Sequence, residues 1–118
     1  MNNNMHTEHN RVRPATDILE NEDGFTIFMD MPGVDKQDLV IDLKNNELTI
    51  SGKTAYDFSD NEKHLDLEFN NVEFARSFTL SDVVDGTGIR AGFENGVLKL
   101  DLPKREEVKP RRIEISSN

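Results

Sequence analysis

The sequence predicts an all-β fold, an antiparallel β-sandwich of seven to nine short strands. Apolar and polar residues alternate with a period of two along most of the chain. Glycine, proline and asparagine signals interrupt this alternation at short intervals. No window has the apolar spacing that an amphipathic helix requires. Because the alternate positions are polar, each sheet is expected to have one face in the core and one face in water.

The N-terminal half of the domain is expected to contain four strands. The first lies around residues 17–20, and the second runs from Phe25 to Met31 and ends at Pro32. Leu39–Leu43 and Leu48–Ile50 are predicted to form a hairpin, because Asn45 and Asn46 between them are a turn signal.

The C-terminal half is expected to contain four more strands after a polar loop. Residues 53–63 are the loop, and the strands that follow are His64–Phe69, Val72–Leu80, Ile89–Phe93 and Leu98–Leu102. The alternation assigns one apolar set to the core, since a slip of one residue would expose all of it. This set comprises Ile27, Met29, Ile41, Leu48, Ile50, Phe78, Leu98 and Leu100.

Length and composition limit the possible classes of protein. A chain of 118 residues has the size of one domain. It contains no cysteine, which excludes disulfide scaffolds and thiolate metal sites. No apolar run approaches the ~18 residues of a membrane span, and the first 13 residues lack the apolar stretch of a signal peptide. A cytoplasmic protein without a membrane partner is therefore expected.

The charge distribution argues against nucleic acid as a partner. The net charge is −9, and residues 14–102 carry 19 acidic and 7 basic residues, so that segment has a net charge of −12. An acidic body repels phosphate backbones. Residues 103–118 carry a net charge of +2, so this basic tail is attracted to the acidic body, in the same copy or in a neighbouring one. An equally good interpretation of the acidic charge is that it only keeps the protein soluble.

Two features of the sequence require an explanation. Arg76 shares its strand face with Phe74 and Phe78, so its guanidinium is expected either to be paired at a fold or subunit junction, or to reach water at an edge. Ile113 and Ile115 point the same way in an extended segment, about 6.6–7 Å apart. They fit an apolar groove between strands, or they are a chance pair in a tail.

The sequence predicts no catalytic residue, metal site or cofactor, and hence no enzyme. His6 and His9 have the spacing of helical metal ligands, but the segment around them has no helix signal and no third ligand. Gly86-Thr87-Gly88 lacks the lysine and flanking elements of a phosphate-binding loop. The many carboxylates are not accompanied by a nucleophile and base in a familiar arrangement.

Three stretches together resemble the small heat-shock protein family and its α-crystallin domain. Phe74–Leu80 is similar to that family's F-x-R-x-F-x-L strand, and Ala91–Lys104 is similar to its A-x-[FYM]-x-[ND]-G-V-L-x-[LV]-x-[LV]-P-K signature. Ile113-Glu114-Ile115 resembles its C-terminal I-x-I motif, and Asp30–Val34 resembles the D-[ML]-P-G-[VF] turn of bacterial members. The resemblance implies an immunoglobulin-like sandwich. It divides the chain into a polar arm (1–13), an α-crystallin-type domain (14–103) and a C-terminal extension (104–118).

The resemblance also implies how copies of the chain associate. The strand containing Leu65, Leu67 and Phe69 would pair with residues around Ile18 of a partner subunit, and Arg76 would lie near this dimer contact. Ile113 and Ile115 of one dimer would dock in a groove of another. The groove residues would be Leu39, Ile41, Leu43, Ile89, Ala91 and Phe93.

The function implied by the resemblance is that of an ATP-independent holding chaperone for unfolding client proteins. The sequence departs from the family in its N-terminal arm, where Met1, Met5 and Val12 are the only large apolar side chains. The alternative is therefore a co-chaperone adaptor, or a co-assembling subunit without strong client binding of its own. An unrelated adhesion or carbohydrate-binding sandwich is a third class, against which the single tyrosine and the absence of tryptophan argue.

Overall fold

The computed structural model describes residues 10–54 and 72–116, and eight strands in these ranges form two four-stranded sheets. The strands are β1 (Asn10–Val12), β2 (Thr16–Glu20), β3 (Gly24–Asp30), β4 (Val34–Lys44), β5 (Glu47–Thr54), β6 (Val72–Thr79), β7 (Arg90–Glu94) and β8 (Val97–Pro103). One sheet, which we call the β5 sheet, has the strand order β1-β6-β5-β4, and the other, the β8 sheet, has the order β2-β3-β8-β7. The predicted sandwich is confirmed.

The core lies between the two sheets and is built from the alternating positions of the central strands. Six of the predicted core residues are buried, namely Ile27, Met29, Leu48, Ile50, Leu98 and Leu100. Ile41 and Phe78, the other two, are only partly buried, because β4 is an outer strand and β6 has only the three-residue β1 outside it. Met31, Val34, Val84 and Leu102 complete the buried cluster.

Two tight hairpin turns lie between strands that the sequence predicts, one at the predicted turn of Asn45 and Asn46 and the other between Ile89–Phe93 and Leu98–Leu102. Asn45 and Asn46 connect β4 to β5 with φ angles of 52° and 67°, and Asn95 and Gly96 connect β7 to β8 with φ angles of 54° and 77°. Two consecutive residues with positive φ match the right-handed twist of the strands they join, and asparagine and glycine adopt this conformation at low cost. The turns fix the register that places Ile41 opposite Ile50 and Phe93 opposite Leu98.

The structure adds two elements that the sequence analysis did not predict, and it does not describe one predicted strand. Residues 10–12, predicted as part of a polar arm, form β1, which pairs parallel to β6 at the side of the β5 sheet. A single turn of 3-10 helix at Glu106–Val108 lies within the predicted C-terminal extension. The predicted strand His64–Phe69 lies outside the described residues.

Substitution of Ile50 by alanine should lower the free energy of unfolding by about 2–5 kcal/mol, because this side chain is fully buried between the sheets. Val40→Ala is the matched control on the outer face of β4, where the side chain is half exposed, and it should cost less than about 1 kcal/mol. Urea unfolding at one fixed protein concentration measures both. Equal losses for the two variants would contradict the assignment of the core.

Candidate docking groove and dimer edge

The outer strands of the two sheets, β4 and β7, lie on the same side of the sandwich. At one end of the pair, a Cβ atom added to Gly86 would lie 2.9 Å from Cδ2 of Leu43 near the end of β4. At the other end, the backbone N–H of Met31 donates to the carbonyl of Gly96, which follows β7 (2.7 Å). The end of β4 is therefore next to the start of β7, so the two strands run in opposite directions, and we call the space between them the groove.

The six residues predicted for the docking groove all lie on these two strands or immediately before β7. Ile41 and Leu43 stand opposite the buried Ile50 and Leu48, and Ala91 and Phe93 stand opposite the buried Leu100 and Leu98. Their side chains therefore occupy the core-facing positions at the margin of the sandwich. Leu39, Ile41, Ile89 and Phe93 pack partly against the core, whereas Leu43 and Ala91 are exposed.

A capped turn holds the loop that leads into β7. Asp85 accepts hydrogen bonds from the side-chain hydroxyl of Thr87 (2.6 Å) and from its backbone N–H (3.0 Å). These bonds stabilise the ionised carboxylate and lower the pKa of Asp85 below its ordinary value, the hydroxyl bond having the larger effect. The cap stabilises the turn that contains Gly86, which lies beside Leu43.

The C-terminal extension begins with a segment that hydrogen bonds hold to the domain, Lys104 and Arg105, which we call its root, and it ends in exposed residues. The backbone N–H of Lys104 donates to Asp23, and Arg105 donates to Val83 through its backbone N–H and to Asp82 through Nε. Lys109 donates to Glu106 (3.0 Å), a bond that is the main reason why its pKa is raised. Beyond it, Ile113 and Ile115 are 75% and 92% exposed, which is an unfavourable place for two isoleucines unless another surface covers them.

On the opposite side of the sandwich, β2 has an outer edge with no neighbouring strand among residues 10–54 and 72–116. Ile18, predicted for the dimer interface, is half exposed and stands opposite Ile27. An apolar cavity of about 240 Å³ opens beside it and reaches Phe78 and Leu80. Leu65, Leu67 and Phe69, the other predicted interface residues on a strand, lie outside the described residues.

Arg76 lies on the core-facing side of β6, next to this same open side. Its backbone stands opposite the buried Ile50, and its guanidinium carbon lies 5.0 Å from the centre of the Phe78 ring. The cation–π contact stabilises a charge that is half buried. None of the three ion pairs in the described ranges involves Arg76, so its pairing at a fold or subunit junction stays a prediction.

Sequence reasoning did not identify the groups that position the groove and the tail. The cap formed by Asp85 and Thr87 could have been found from their spacing, since an aspartate often bonds the backbone two residues ahead. The anchoring of Lys104 and Arg105 to Asp23, Asp82 and Val83 had no local signal, because it joins segments that are distant in sequence.

The described residues contain neither a metal cluster nor a membrane-spanning element. Within residues 10–54 and 72–116 no group of three or more histidine, aspartate or glutamate side chains is placed to hold a metal ion. No helix in the same ranges is long and apolar enough to cross a membrane.

Residues 17–116 match the model of the Hsp20/alpha crystallin family. The probable 15 kDa heat shock protein of Leptospira interrogans is 38% identical over 114 residues, which cover 94% of this chain and 86% of the relative. Spore protein SP21 of Stigmatella aurantiaca is 38% identical over 106 residues, and the chain spans only 63% of its length. Small heat shock protein C2 of Rickettsia felis is 34% identical over 110 residues, covering 92% of this chain and 71% of that protein.

Solved structures share the fold. A small heat-shock protein from Xylella fastidiosa, described as having a distinct high order structure, superposes with a TM-score of 0.65 at 32% identity. The alignment covers 88% of this chain and 96% of that one. Heat shock protein 16.0 from Schizosaccharomyces pombe also gives a TM-score of 0.65, at 27% identity, over 91% of this chain and 99% of that one.

Proposed function

This chain belongs to the Hsp20/alpha crystallin family of small heat shock proteins, and we propose that it is an ATP-independent holding chaperone. It would bind partly unfolded client proteins and limit their aggregation under stress. The observation that carries the proposal is the groove between β4 and β7, which combines apolar side chains with two strand edges that have no neighbouring strand among residues 10–54 and 72–116. An extended segment of an unfolded protein offers the complementary groups, apolar side chains and backbone hydrogen bonds.

We propose that the C-terminal tail of a second copy covers this groove at rest. Burying the side chains of Ile113 and Ile115 would contribute roughly 3–6 kcal/mol of favourable free energy. Ordering about five tail residues costs roughly 1 kcal/mol or more for each. The docking of a single tail is therefore only marginally favourable, and an assembly depends on several tails that dock together. Heating or dilution releases such a cover and opens the groove to clients.

We propose that the dimer forms at the edge of β2. The strand containing Leu65, Leu67 and Phe69 would pair with β2 of the partner subunit, and its apolar face would cover Ile18 and the cavity beside it. Support comes from the exposed edge and the half-exposed Ile18, because an unpaired strand edge invites pairing with another chain. Arg76 would lie beside this contact.

The proposal includes a division of the chain and a location. Residues 1–13 serve as an arm, 14–103 as the domain and 104–118 as the extension, in a cytoplasmic protein that has no enzymatic activity. The second candidate is a co-assembling or adaptor subunit with little client binding of its own. It is favoured by the polar composition of residues 1–13, where Met1, Met5 and Val12 are the only large apolar residues.

The chaperone should suppress the aggregation of a heat-labile client without ATP. We expect a weak effect that needs a near-stoichiometric amount or an excess of chaperone, because residues 1–13 offer little apolar surface for capture. Light scattering of the heated client measures it, and an unrelated folded protein at equal mass concentration is the control. Unchanged scattering at several-fold excess would favour the co-assembling or adaptor role.

Replacing both Ile113 and Ile115 by alanine should shift oligomers toward dimers, because each docked tail loses most of its apolar contact. Native mass spectrometry over a range of concentrations measures the distribution. Val108→Ala is a matched control, since Val108 is exposed in the extension but lies outside the motif. An unchanged mass distribution for the double variant would argue against tail docking.

Deleting residues 60–70 should leave monomers, because the strand proposed to cross to the partner is removed. Ile18→Lys keeps the loop and should weaken the dimer, since it places a charge at the receiving edge. Sedimentation velocity reports the dimer fraction, and circular dichroism verifies that the sheets persist. A folded deletion variant that still sediments as a dimer would show that the dimer forms elsewhere.

A further inference from the structure

Three apolar side chains lie on the outer face of the β8 sheet, where alternation favours polar residues. Ile27 and Leu100 point into the core, so the residues on either side of each of them in sequence point outward. On the outer face, Leu19 of β2 is 58% exposed, Phe28 of β3 is half-buried, and Val97 of β8 is 37% exposed. We call these three residues the outer stripe.

The outer stripe runs diagonally across three neighbouring strands. Leu19 stands opposite Thr26, which is two residues from Phe28 on β3. Val97 stands opposite Asp30, which is two residues from Phe28 in the other direction. Diagonal neighbours of this kind are about 7–8 Å apart, within reach of long and aromatic side chains. The three side chains therefore form one patch, and grouped apolar side chains on a surface are typical of an interaction site.

The other exposed large apolar side chains of the described residues lie elsewhere. Val40 is alone on the outer face of the β5 sheet. The rest belong to β1, the edge of β2, the groove or the C-terminal extension, and they are Val12, Ile18, Leu43, Val108, Ile113 and Ile115. Neither the proposed docking of the tail nor the proposed dimer uses the outer stripe.

Carboxylates outnumber cations around the outer stripe. Asp17, Asp30 and Glu94 each stand opposite a residue of the stripe, whereas Lys99 is the one cation that does so. The two other charged residues on this face, Arg90 and Asp101, stand opposite each other. The face thus has four carboxylates and two cations, a net charge of −2. None of these residues takes part in the three ion pairs of the described ranges.

The outer face of the β5 sheet has neither property. Val40 is the one large apolar residue among its paired positions. Its charges are balanced, because three acidic and three basic residues occupy those positions, namely Asp42, Glu47, Glu73, Arg11, Lys44 and Lys53. The combination of an apolar patch and net negative charge is therefore specific to the face of the β8 sheet.

We infer that the outer stripe is a second binding surface for clients, and that it selects apolar segments of unfolded proteins that carry lysine or arginine. This inference rests on the proposed holding activity and names a class of client for it. Alternate side chains of an extended segment are about 6.6–7 Å apart, close to the diagonal spacing of the stripe.

Charge complementarity favours a cationic client over a second copy as the occupant. Two copies that meet through this face bring the same net negative charge together, and like charges across an interface disfavour that contact. A cationic segment meets the carboxylates of the face, and the net charge of −12 on residues 14–102 attracts it from a distance. Acidic clients are repelled by the same charges.

Two labelled peptides test the surface and its preference. One has three alternate leucines between two pairs of lysines, and the other has glutamate in place of each lysine. Fluorescence anisotropy measures their affinity for the full chain, and we expect the lysine peptide to bind at least tenfold more tightly. Leu19→Gln with Phe28→Gln should weaken its binding by roughly tenfold, because the apolar contact is lost. Leu19→Gln alone, at the most exposed position, should weaken it by about threefold.

Two single variants are the matched controls, and circular dichroism verifies the fold of each protein. Val40→Gln changes the other outer face, and Leu43→Gln changes the groove, both at exposed positions. Neither should alter the affinity for the lysine peptide by more than about twofold.

Several outcomes would overturn the inference. Equal affinity for the two peptides would remove the preference for cationic segments. Unchanged binding by both stripe variants would show that the stripe is not the site, and a loss with Leu43→Gln instead would assign the peptide to the groove. The failure of the proposed function has a different sign, because a protein that binds the lysine peptide as expected but never lowers the scattering of a heated client is not a holding chaperone.

Neutralising the carboxylates beside the stripe tests the cause of the preference. A triple variant with Asp17→Asn, Asp30→Asn and Glu94→Gln should lower the ratio of the two affinities by about two- to fivefold for each carboxylate. The control neutralises three exposed carboxylates away from this face, with Asp35→Asn, Asp42→Asn and Glu47→Gln. Equal effects of the two triple variants would show that net charge, and not this face, selects the peptide, and would overturn the inference.

Discussion

Within the part of the chain that the structure describes, β2, β4 and β7 each have one edge without a neighbouring strand, and these edges govern how the chain can associate. A two-sheet sandwich pairs its central strands on both sides but leaves backbone N–H and C=O groups open along each outer edge. Here β4 and β7 place two such edges on one side, with apolar side chains at the margin of the core between them. An extended segment that covers this side satisfies backbone groups and buries apolar surface at once. The edge of β2 poses the same problem on the opposite side, so both lateral sides favour association.

The C-terminal extension is held to the domain at its first residues and is exposed at its end. Backbone hydrogen bonds from Lys104 and Arg105 fix the root, whereas Ile113 and Ile115 project into water. Because the favourable free energy of burying the two isoleucines is close to the entropic cost of ordering the tail, the proposed docking would be reversible.

The fold was predictable from sequence because period-two alternation and turn signals are local. The asparagine turns at Asn45 and Asn95 fixed the hairpins, and the alternation placed Ile50 and Leu100 inside. What could not be predicted depends on contacts between distant segments: β1 beside β6, the anchoring of Lys104 to Asp23, and the partial exposure of Ile41 and Phe78 near the sheet margins. The groove residues were proposed through a family resemblance, whereas the antiparallel placement of β4 and β7 became visible only in the structure.

Hydrogen exchange in the assembled protein tests most directly whether tails cover this groove. Amides on the outer edges of β4 and β7, within Leu39–Leu43 and Arg90–Phe93, should exchange more slowly in the unmodified protein than in the variant with both Ile113→Ala and Ile115→Ala. Amides of the central strand β8 should exchange equally in the two proteins, which controls for a global loss of stability. Equal exchange at the outer edges of β4 and β7 would contradict the account, because the groove would then be uncovered with the tail intact.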